Sequence, residues 1–293
     1  MEAALLYTVV RFRARPGAPD PKPVHGNTAL EIGWTLAPAF IIALIAIPTL
    51  STIWQNAGDP SPDALQVQVV GHQWWWEFQY PEFGISTANE MHVPQGREVV
   101  LNMTSADVIH SFWAPRLTGK RDVMLGRTNR LRFTPDSVGM FTGQCAEYCG
   151  DSHANMRMAV FVDDSASFDR WVAGQRATPP APDSLDAVVQ RGYEAFRAVR
   201  TPASNSCVAC HAIQGVSFGV LGPNLSHLAS RTTIAGGVLA NNPEQLARWL
   251  RDPGAVKPGE GDLKGSGAAM GMPNVGLTED EIDGLVAYLG TLR

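Results

Sequence analysis

The chain has 293 residues, of which 45% are hydrophobic and 17% charged, and its formal net charge is −5. That length suggests about two domains, and an acidic chain without a basic stripe is not typical of nucleic-acid-binding proteins. Totals of 28 glycines and 21 prolines exclude collagen-like and wholly disordered chains. Four cysteines in two closely spaced pairs exclude a disulfide-stapled miniprotein and favour metal or haem binding.

An uncharged segment near the N-terminus predicts a transmembrane helix. Trp34 to Trp54 comprise 21 positions without a charged side chain. At about 1.5 Å per residue they span roughly 30 Å, the thickness of the hydrocarbon core. A buried core helix is the alternative, which the uncharged length disfavours. The preceding apolar stretch ends at Phe12 and is too short to span a membrane. It is either the end of a first helix whose beginning is missing here or a segment that only dips into the bilayer.

Charge predicts the orientation of this membrane anchor, which we place at residues 1–56. The loop from Arg11 to Gly33 has more basic than acidic side chains, and basic loops stay in the cytoplasm. Everything after Trp54 is then expected outside. We therefore expect a bacterial inner-membrane protein whose soluble domains lie on the periplasmic face.

The segment 65–163 is predicted to be an all-β domain. Runs such as LQVQVV, REVVLNMTS, RLRFTP and MAVFV alternate in polarity or are rich in β-formers, and turn residues separate them. About a hundred residues of short strands predict a sandwich or a barrel.

The remaining sequence predicts a small all-α domain over residues 185–293, after a Pro/Ala-rich linker at 174–184. Thr278 and Glu281 form a capping box before the last helix. The apolar residues expected on one face of the first helix are Leu185, Val188, Val189, Tyr193 and Phe196.

The run GQCAEYCGDSHANM concentrates metal-binding side chains within twelve residues. Zinc is the usual metal of a Cys/His cluster, but a thioether is a soft ligand that selects copper. Two thiolates are one more than a mononuclear blue-copper site uses, which favours two coppers bridged by both sulfurs. Taken singly, the methionine and the histidines would be core residues. The candidate ligands are Cys145, Cys149, His153 and Met156, with His110 from an earlier segment.

A second motif, SCVACHA, has the C-x2-C-H pattern of c-type haem attachment. Cys207 and Cys210 would form the thioether bonds, and His211 would be the proximal iron ligand. A thioredoxin-like C-x2-C is the alternative, which the adjacent histidine and the helical surroundings disfavour. The sixth ligand is expected to be a methionine.

The C-terminal tail resembles a class I cytochrome c, in which a Met-Pro pair precedes the last helix. Met272 is followed by Pro273, so it is the preferred sixth ligand, and Met270 is kept as the alternative. His227 is a further alternative for the sixth ligand, but it lies in the loop after GPNL, where we expect a surface role.

Three runs resemble subunit II of the haem–copper cytochrome c oxidases. They are the copper run, the aromatic run GHQWWWEFQY and the run EIGWTLAPA at the start of the membrane helix. The resemblance implies a cupredoxin-like sandwich with a dinuclear copper A centre. The implied ligands are the side chains of His110, Cys145, Cys149, His153 and Met156 and the backbone carbonyl of Glu147.

The resemblance also implies roles for three further groups. The Glu147 carboxylate would face a magnesium or manganese site at the interface with subunit I. Trp74 would be the point at which electrons enter from a docked cytochrome c, the alternative being core packing or interfacial anchoring. Glu31 would lie at the mouth of a proton channel into subunit I, the alternative being an acid stabilised by a helix N-terminus.

Together these features predict an oxidase subunit of the caa type that performs electron transfer only. Electrons would pass from cytochrome c, or from the chain's own haem c, through copper A to the haem of subunit I, where oxygen is reduced with proton translocation. Expected partners are subunits I and III, a cytochrome c or another upstream donor, and membrane lipid. The alternatives are a copper A-containing nitric oxide or nitrous oxide reductase component, a quinol oxidase subunit, which should lack copper ligands, and a membrane-anchored copper-binding or delivery protein.

Overall fold

The computed structural model describes residues 1–20, 22–23, 25–179, 186–200, 206–259 and 271–293. They divide into two compact units, Met1–Gly58 and Asp59–Arg293. The first unit consists of helices α1 (Glu2–Phe12) and α2 (Thr28–Ala57). The second holds a β-sandwich followed by a mainly helical region.

Helix α2 is the predicted membrane helix. The Asn27 side chain accepts hydrogen bonds from the N–H groups of Ala29 and Leu30, at 3.2 and 3.3 Å. This cap makes the helix begin six residues before Trp34, where the apolar stretch was expected to start. Within the described residues, α2 is the one helix long and apolar enough to cross a membrane, and no residue of it is buried. A helix that is apolar on all sides is typical of a membrane span or of the core of a large protein.

Ten strands in the described part of the second unit form two five-stranded sheets. The first sheet consists of β1 (Leu65–His72), β2 (Trp75–Tyr80), β3 (Ile85–Ala88), β5 (Val99–Ser105) and β8 (Asn129–Phe133), in the order β3-β2-β1-β5-β8. The second consists of β4 (Glu90–Pro94), β6 (His110–Trp113), β7 (Arg121–Val123), β9 (Gly139–Cys145) and β10 (Arg157–Asp163), in the order β4-β10-β9-β6-β7.

The sandwich core follows the alternation seen in the sequence. In β1, Leu65, Val67 and Val69 are fully buried, while the residues between them are half-buried. Strand β1 pairs in parallel with β5 and antiparallel with β2. The predicted all-β sandwich is therefore confirmed. Helix α3 (Ser165–Gln175) follows it and buries Phe168 in the same core. It extends two residues into the expected linker, and residues 180–184 of that linker lie outside the described residues.

The C-terminal region is built mainly from helices, as expected. They are α4 (Ala187–Arg197), α5 (Cys207–Cys210), α6 (Pro243–Arg251), α7 (Pro253–Val256) and α8 (Glu279–Leu289). Two short hairpins, which the sequence patterns did not reveal, join them: β11 (Ala212–Ile213) with β12 (Ser217–Phe218), and β13 (Thr233–Ile234) with β14 (Leu239–Ala240). Two-residue strands are too short to show a period, so glycine-rich turns were their one signal.

Two local expectations for this region have different outcomes. The capping box of Thr278 and Glu281 is confirmed at the start of α8. On α4, Val189 and Phe196 are buried, but Val188 is 41% exposed, so its placement on the apolar face was wrong. Leu185, which was assigned to the same face, lies outside the described residues.

Glycines allow α4 and α8 to pack closely. A Cβ added at Gly192 would overlap the Gly284 carbonyl and lie 2.8 Å from the Cβ of Tyr288. Because both obstacles are backbone or first side-chain atoms of a packed helix, neither can rotate away. The two helices can therefore cross this closely only because residue 192 is glycine.

We predict that Gly192→Ala destabilises the helical region by about 3 kcal/mol, because the added methyl group forces the helices apart. Gly174→Ala is the matched control: its Cβ would meet nothing within 4 Å, and a helical alanine is favoured over glycine by up to about 1 kcal/mol. Urea unfolding of the full chain gives the unfolding midpoint of each variant. Hydrogen exchange of the α8 amides reports separately on the stability of the helical region. Equal midpoints for the two variants would contradict the close crossing.

Candidate copper and haem sites

The candidate copper ligands meet at one end of the second sheet. His110 begins β6, Cys145 ends β9, and the segment between β9 and β10 carries the other residues of the motif. The Cys145 N–H donates to the Met156 carbonyl at 2.9 Å, which closes this segment into a compact loop. The Ala146 N–H donates to the Ser111 carbonyl at 2.9 Å and ties the loop to the His110 strand. We call residues 145–156 the ligand loop.

The five candidate side chains converge. The two sulfurs of Cys145 and Cys149 are 3.8 Å apart, and Cys145 Sγ is 3.9 Å from His110 Nδ1. Cys149 Sγ is 3.5 Å from His153 Nδ1 and 3.9 Å from Met156 Sδ. The ligand atoms of His110, Cys145 and Cys149 all lie within 4.8 Å of one another. The sequence motif and the distant histidine therefore form one cluster.

Glu147 presents its backbone to the cluster. Its carbonyl oxygen lies 3.2 Å from Cys145 Sγ, while the residue as a whole is exposed. The backbone and the carboxylate of this residue are thus available to different neighbours.

The two cysteines of the cluster differ in pKa. The hydrogen bond between them lowers the pKa of Cys145 to about 3, against the opposing effect of burial. The same hydrogen bond, together with burial, raises the pKa of Cys149. A metal that binds both sulfurs must therefore displace the Cys149 proton.

Asp107 orients His110 and was missed in the sequence. Its Oδ1 is 2.8 Å from His110 Nε2, and its two oxygens also accept the backbone N–H groups of Gln73 and Val108. Burial acts to raise the Asp107 pKa, but these hydrogen bonds outweigh it and lower the pKa. With Nε2 held, Nδ1 points toward the sulfurs, as in carboxylate–histidine–metal arrangements. A carboxylate three residues before a candidate histidine was the available signal.

The donor set fits a pair of soft metal ions better than zinc. Two thiolates, a thioether, two imidazole nitrogens and a peptide oxygen are more donors than one tetrahedral zinc uses. The thioether favours copper. Cys145, Cys149 and Met156 are at most 3% exposed, so the three sulfur ligands are shielded from solvent.

The three consecutive tryptophans occupy different environments. Trp74 lies in the turn between β1 and β2, is 3% exposed, and donates its indole N–H to the Cys149 carbonyl at 2.9 Å. Trp76 is fully buried in the core, and Trp75 stacks on His72 with ring centroids 4.1 Å apart. Burial alternates along the three residues, although Trp74 lies outside the strand. Trp74 is thus in direct contact with the ligand loop.

The haem-attachment motif forms a short helix and its C-cap. Cys207 and Cys210 lie at the two ends of α5, and His211 follows. His211 Nδ1 is 2.9 Å from the Pro223 carbonyl, which leaves Nε2 for an iron ion. Burial lowers the His211 pKa and keeps the ring neutral, as a metal ligand requires. A Cβ at Gly222 would lie 2.6 Å from His211 Cε1, so only glycine leaves room for this ring.

The remaining candidates are placed as follows. Met272 is half-buried and packs against the apolar core of the helical region, whereas Met270 lies outside the described residues.

The surface role expected for His227 is wrong: it is 5% exposed, and its Nδ1 is 3.0 Å from the main-chain oxygen of Arg293. The loop after GPNL folds inward because the C-terminus packs over it. Glu31 is exposed in the first turn of α2.

Comparison with family models assigns three parts of the chain. Residues 1–52 match the model "Cytochrome C oxidase subunit II, transmembrane domain". Residues 84–162 match "Cytochrome C oxidase subunit II, periplasmic domain", and residues 189–293 match "Cytochrome c". These segments fall within the membrane anchor, the sandwich region and the helical region, respectively.

Curated relatives extend over nearly the whole chain. The cytochrome c oxidase subunit 2 of Alkalihalophilus pseudofirmus is 35% identical over 297 residues, covering 99% of this chain and 81% of the relative. That of Bacillus sp. (strain PS3) is 36% identical over 302 residues, covering 96% and 80%. A quinol oxidase subunit 2 of Bacillus cereus is 31% identical over 198 residues, covering 64% and 68%.

We predict that Asp107→Asn weakens copper binding by roughly 10- to 100-fold, because the imidazole loses the carboxylate that orients it. Competition between the full chain and a Cu(I) chelator measures this affinity. Asp122→Asn, on an exposed position of β7, is the matched control and should bind like the unaltered chain. An unchanged affinity for Asp107→Asn would show that the hydrogen bond does not support the site.

Proposed function

Since the chain belongs to the cytochrome c oxidase subunit II family, we propose that it receives single electrons from its own haem c, or from a cytochrome c. It passes them through a dinuclear copper A centre to the haem of subunit I. There the assembled complex reduces oxygen to water and translocates protons. The chain is membrane-anchored, and we place the anchor in the bacterial inner membrane with the soluble domains on the periplasmic side.

One observation carries this proposal: two cysteine sulfurs 3.8 Å apart, with His110, His153, Met156 and the Glu147 carbonyl around them. When bound, a copper pair supplies one-electron chemistry in which both ions share the charge change, so bond lengths alter little. The protein's part is to hold the ligands. Burial excludes water, Asp107 fixes the His110 ring, and the closed loop keeps both sulfurs in place.

We assign roles to three further residues from their local surroundings. The Glu147 carboxylate is free to reach a magnesium ion at the interface with subunit I, because the carbonyl of the same residue faces the sulfurs. Trp74 is the point where electrons enter, since its indole bonds to the backbone of Cys149. Glu31, at the first turn of α2, marks the mouth of the proton channel into subunit I. Subunit III is a further partner of the assembly.

Two alternative functions are disfavoured by the site. A quinol oxidase subunit, the name of one relative, needs no copper ligands, whereas this chain gathers a complete set. A copper-delivery protein needs exposed, exchangeable ligands, whereas both cysteines of the cluster are 3% exposed. Neither alternative requires a C-x2-C-H motif.

We predict that the purified full chain, loaded with copper and haem, has a mixed-valence EPR spectrum of one unpaired electron shared by two copper nuclei. Cys149→Ser removes a bridging sulfur, so this spectrum should disappear while the haem absorbance remains. Cys207→Ser removes one thioether bond and should have the opposite effect: altered haem attachment with an unchanged copper spectrum. A four-line mononuclear spectrum, or zinc alone in metal analysis, would contradict the proposed centre.

A further inference from the structure

Glu90 is a buried carboxylate of the copper domain whose partners lie in the cytochrome region. It begins β4 and is 3% exposed. The N–H and hydroxyl groups of Thr232 donate to it at 2.9 and 2.6 Å, and those of Thr233 at 2.8 and 2.9 Å. Among the described residues, these two threonines supply every hydrogen bond that the carboxylate accepts. A buried carboxylate without such donors is strongly unfavourable, so Glu90 is matched to the docked cytochrome region.

Backbone contacts continue this interface onto the ligand loop and its edge. The Arg157 N–H, directly after Met156, donates to the Gly236 carbonyl at 3.0 Å. Gly236 has a φ of +71°. A Cβ there would lie 3.1 Å from both the Asn155 and the Trp74 carbonyl oxygens. Glycine thus permits the cytochrome region to lie flush against the loop.

Lys257 and Pro258 of the cytochrome region cover the remaining part of this face. The Lys257 ammonium donates to the Trp74 carbonyl and, at 3.4 Å, to the Ala235 carbonyl. The Ser152 hydroxyl, within the ligand loop, donates to the Pro258 carbonyl. Lys257 and Gly236 of the cytochrome region are therefore in direct contact with the backbone of Trp74.

The covering segment also approaches the candidate haem ligand. Gly259 follows Pro258, and a Cβ at Gly271 would lie 3.2 Å from the Gly259 carbonyl. Gly271 directly precedes Met272. The segment 257–259, which contacts Ser152 of the ligand loop, therefore also contacts the segment that contains Met272.

From these contacts we propose that Glu90 is a positioning residue that holds the cytochrome region against the ligand loop. In this position the cytochrome region covers the surface formed by Trp74 and Ser152, and it prevents a separate electron carrier from binding there. The partner of this surface is the tethered cytochrome region itself. The electron-transfer part of the proposal rests on the proposed function, whereas the seating does not.

Hydrogen exchange in the full chain tests the seating directly. Glu90→Ala should accelerate exchange of the Thr232, Thr233 and Arg157 amides at least tenfold, because all three donate across the interface. The α8 amides, which are internal to the cytochrome region, should keep their protection. Glu82→Gln, on an exposed carboxylate paired with Arg97 at 2.9 Å, is the control and should change none of them.

A variant in the cytochrome region distinguishes loss of the docking contact from damage to the folding of the copper domain. Thr232→Val combined with Thr233→Val removes both hydroxyl donors and leaves Glu90 in place, and it should accelerate exchange of the Arg157 amide in the same direction. Unchanged protection of that amide in both the Glu90 variant and the threonine variant would overturn the seating.

Electron uptake from an added, reduced soluble cytochrome c tests the closure. Stopped-flow reduction of the copper centre should be at least tenfold faster in Glu90→Ala than in the unaltered chain or Glu82→Gln. Equal rates in all three would overturn the closure. Absence of the mixed-valence EPR spectrum would instead overturn the proposed function, and the amide-exchange result would stand independently of it.

Discussion

The candidate copper centre depends on a backbone constraint, the closure of the ligand loop between β9 and β10. The hydrogen bond from the Cys145 N–H to the Met156 carbonyl joins the two ends of the loop. Since those ends are also strand ends, the sheet fixes their separation. Within the closed loop, Cys149 lies 3.8 Å from Cys145, measured between the sulfurs, and is also close to His153 and Met156.

Groups outside the loop complete and orient the cluster. His110 comes from the neighbouring strand, and Asp107 holds its ring by the nitrogen that faces away from the sulfurs. Trp74 bonds to the Cys149 carbonyl from a third direction. The loop therefore has a strand, a carboxylate and an indole around it. Such support suits a one-electron site, where small structural change between oxidation states favours fast transfer.

The same loop is also the place where the cytochrome region contacts the sandwich. Arg157 and Ser152 bond to the backbone of that region, and Glu90 accepts its threonine donors nearby. The candidate metal ligands, the proposed point of electron entry and the docking contacts thus lie in or next to one short segment. A change that moves the loop would affect all three together.

The sequence by itself determined the features that depend on neighbouring residues. The copper and haem motifs, the membrane helix, the alternating strands and the capping box of α8 could all be predicted, because each is encoded within one short segment. His110 was also predicted, although it is 35 residues from Cys145. Only the tertiary structure decided the roles of Asp107, Glu90 and Lys257, and the burial of His227. Glu90 and Thr232 are 142 residues apart, and no periodicity or spacing marks such a pair, because their interaction arises from the packing of two separately folded regions.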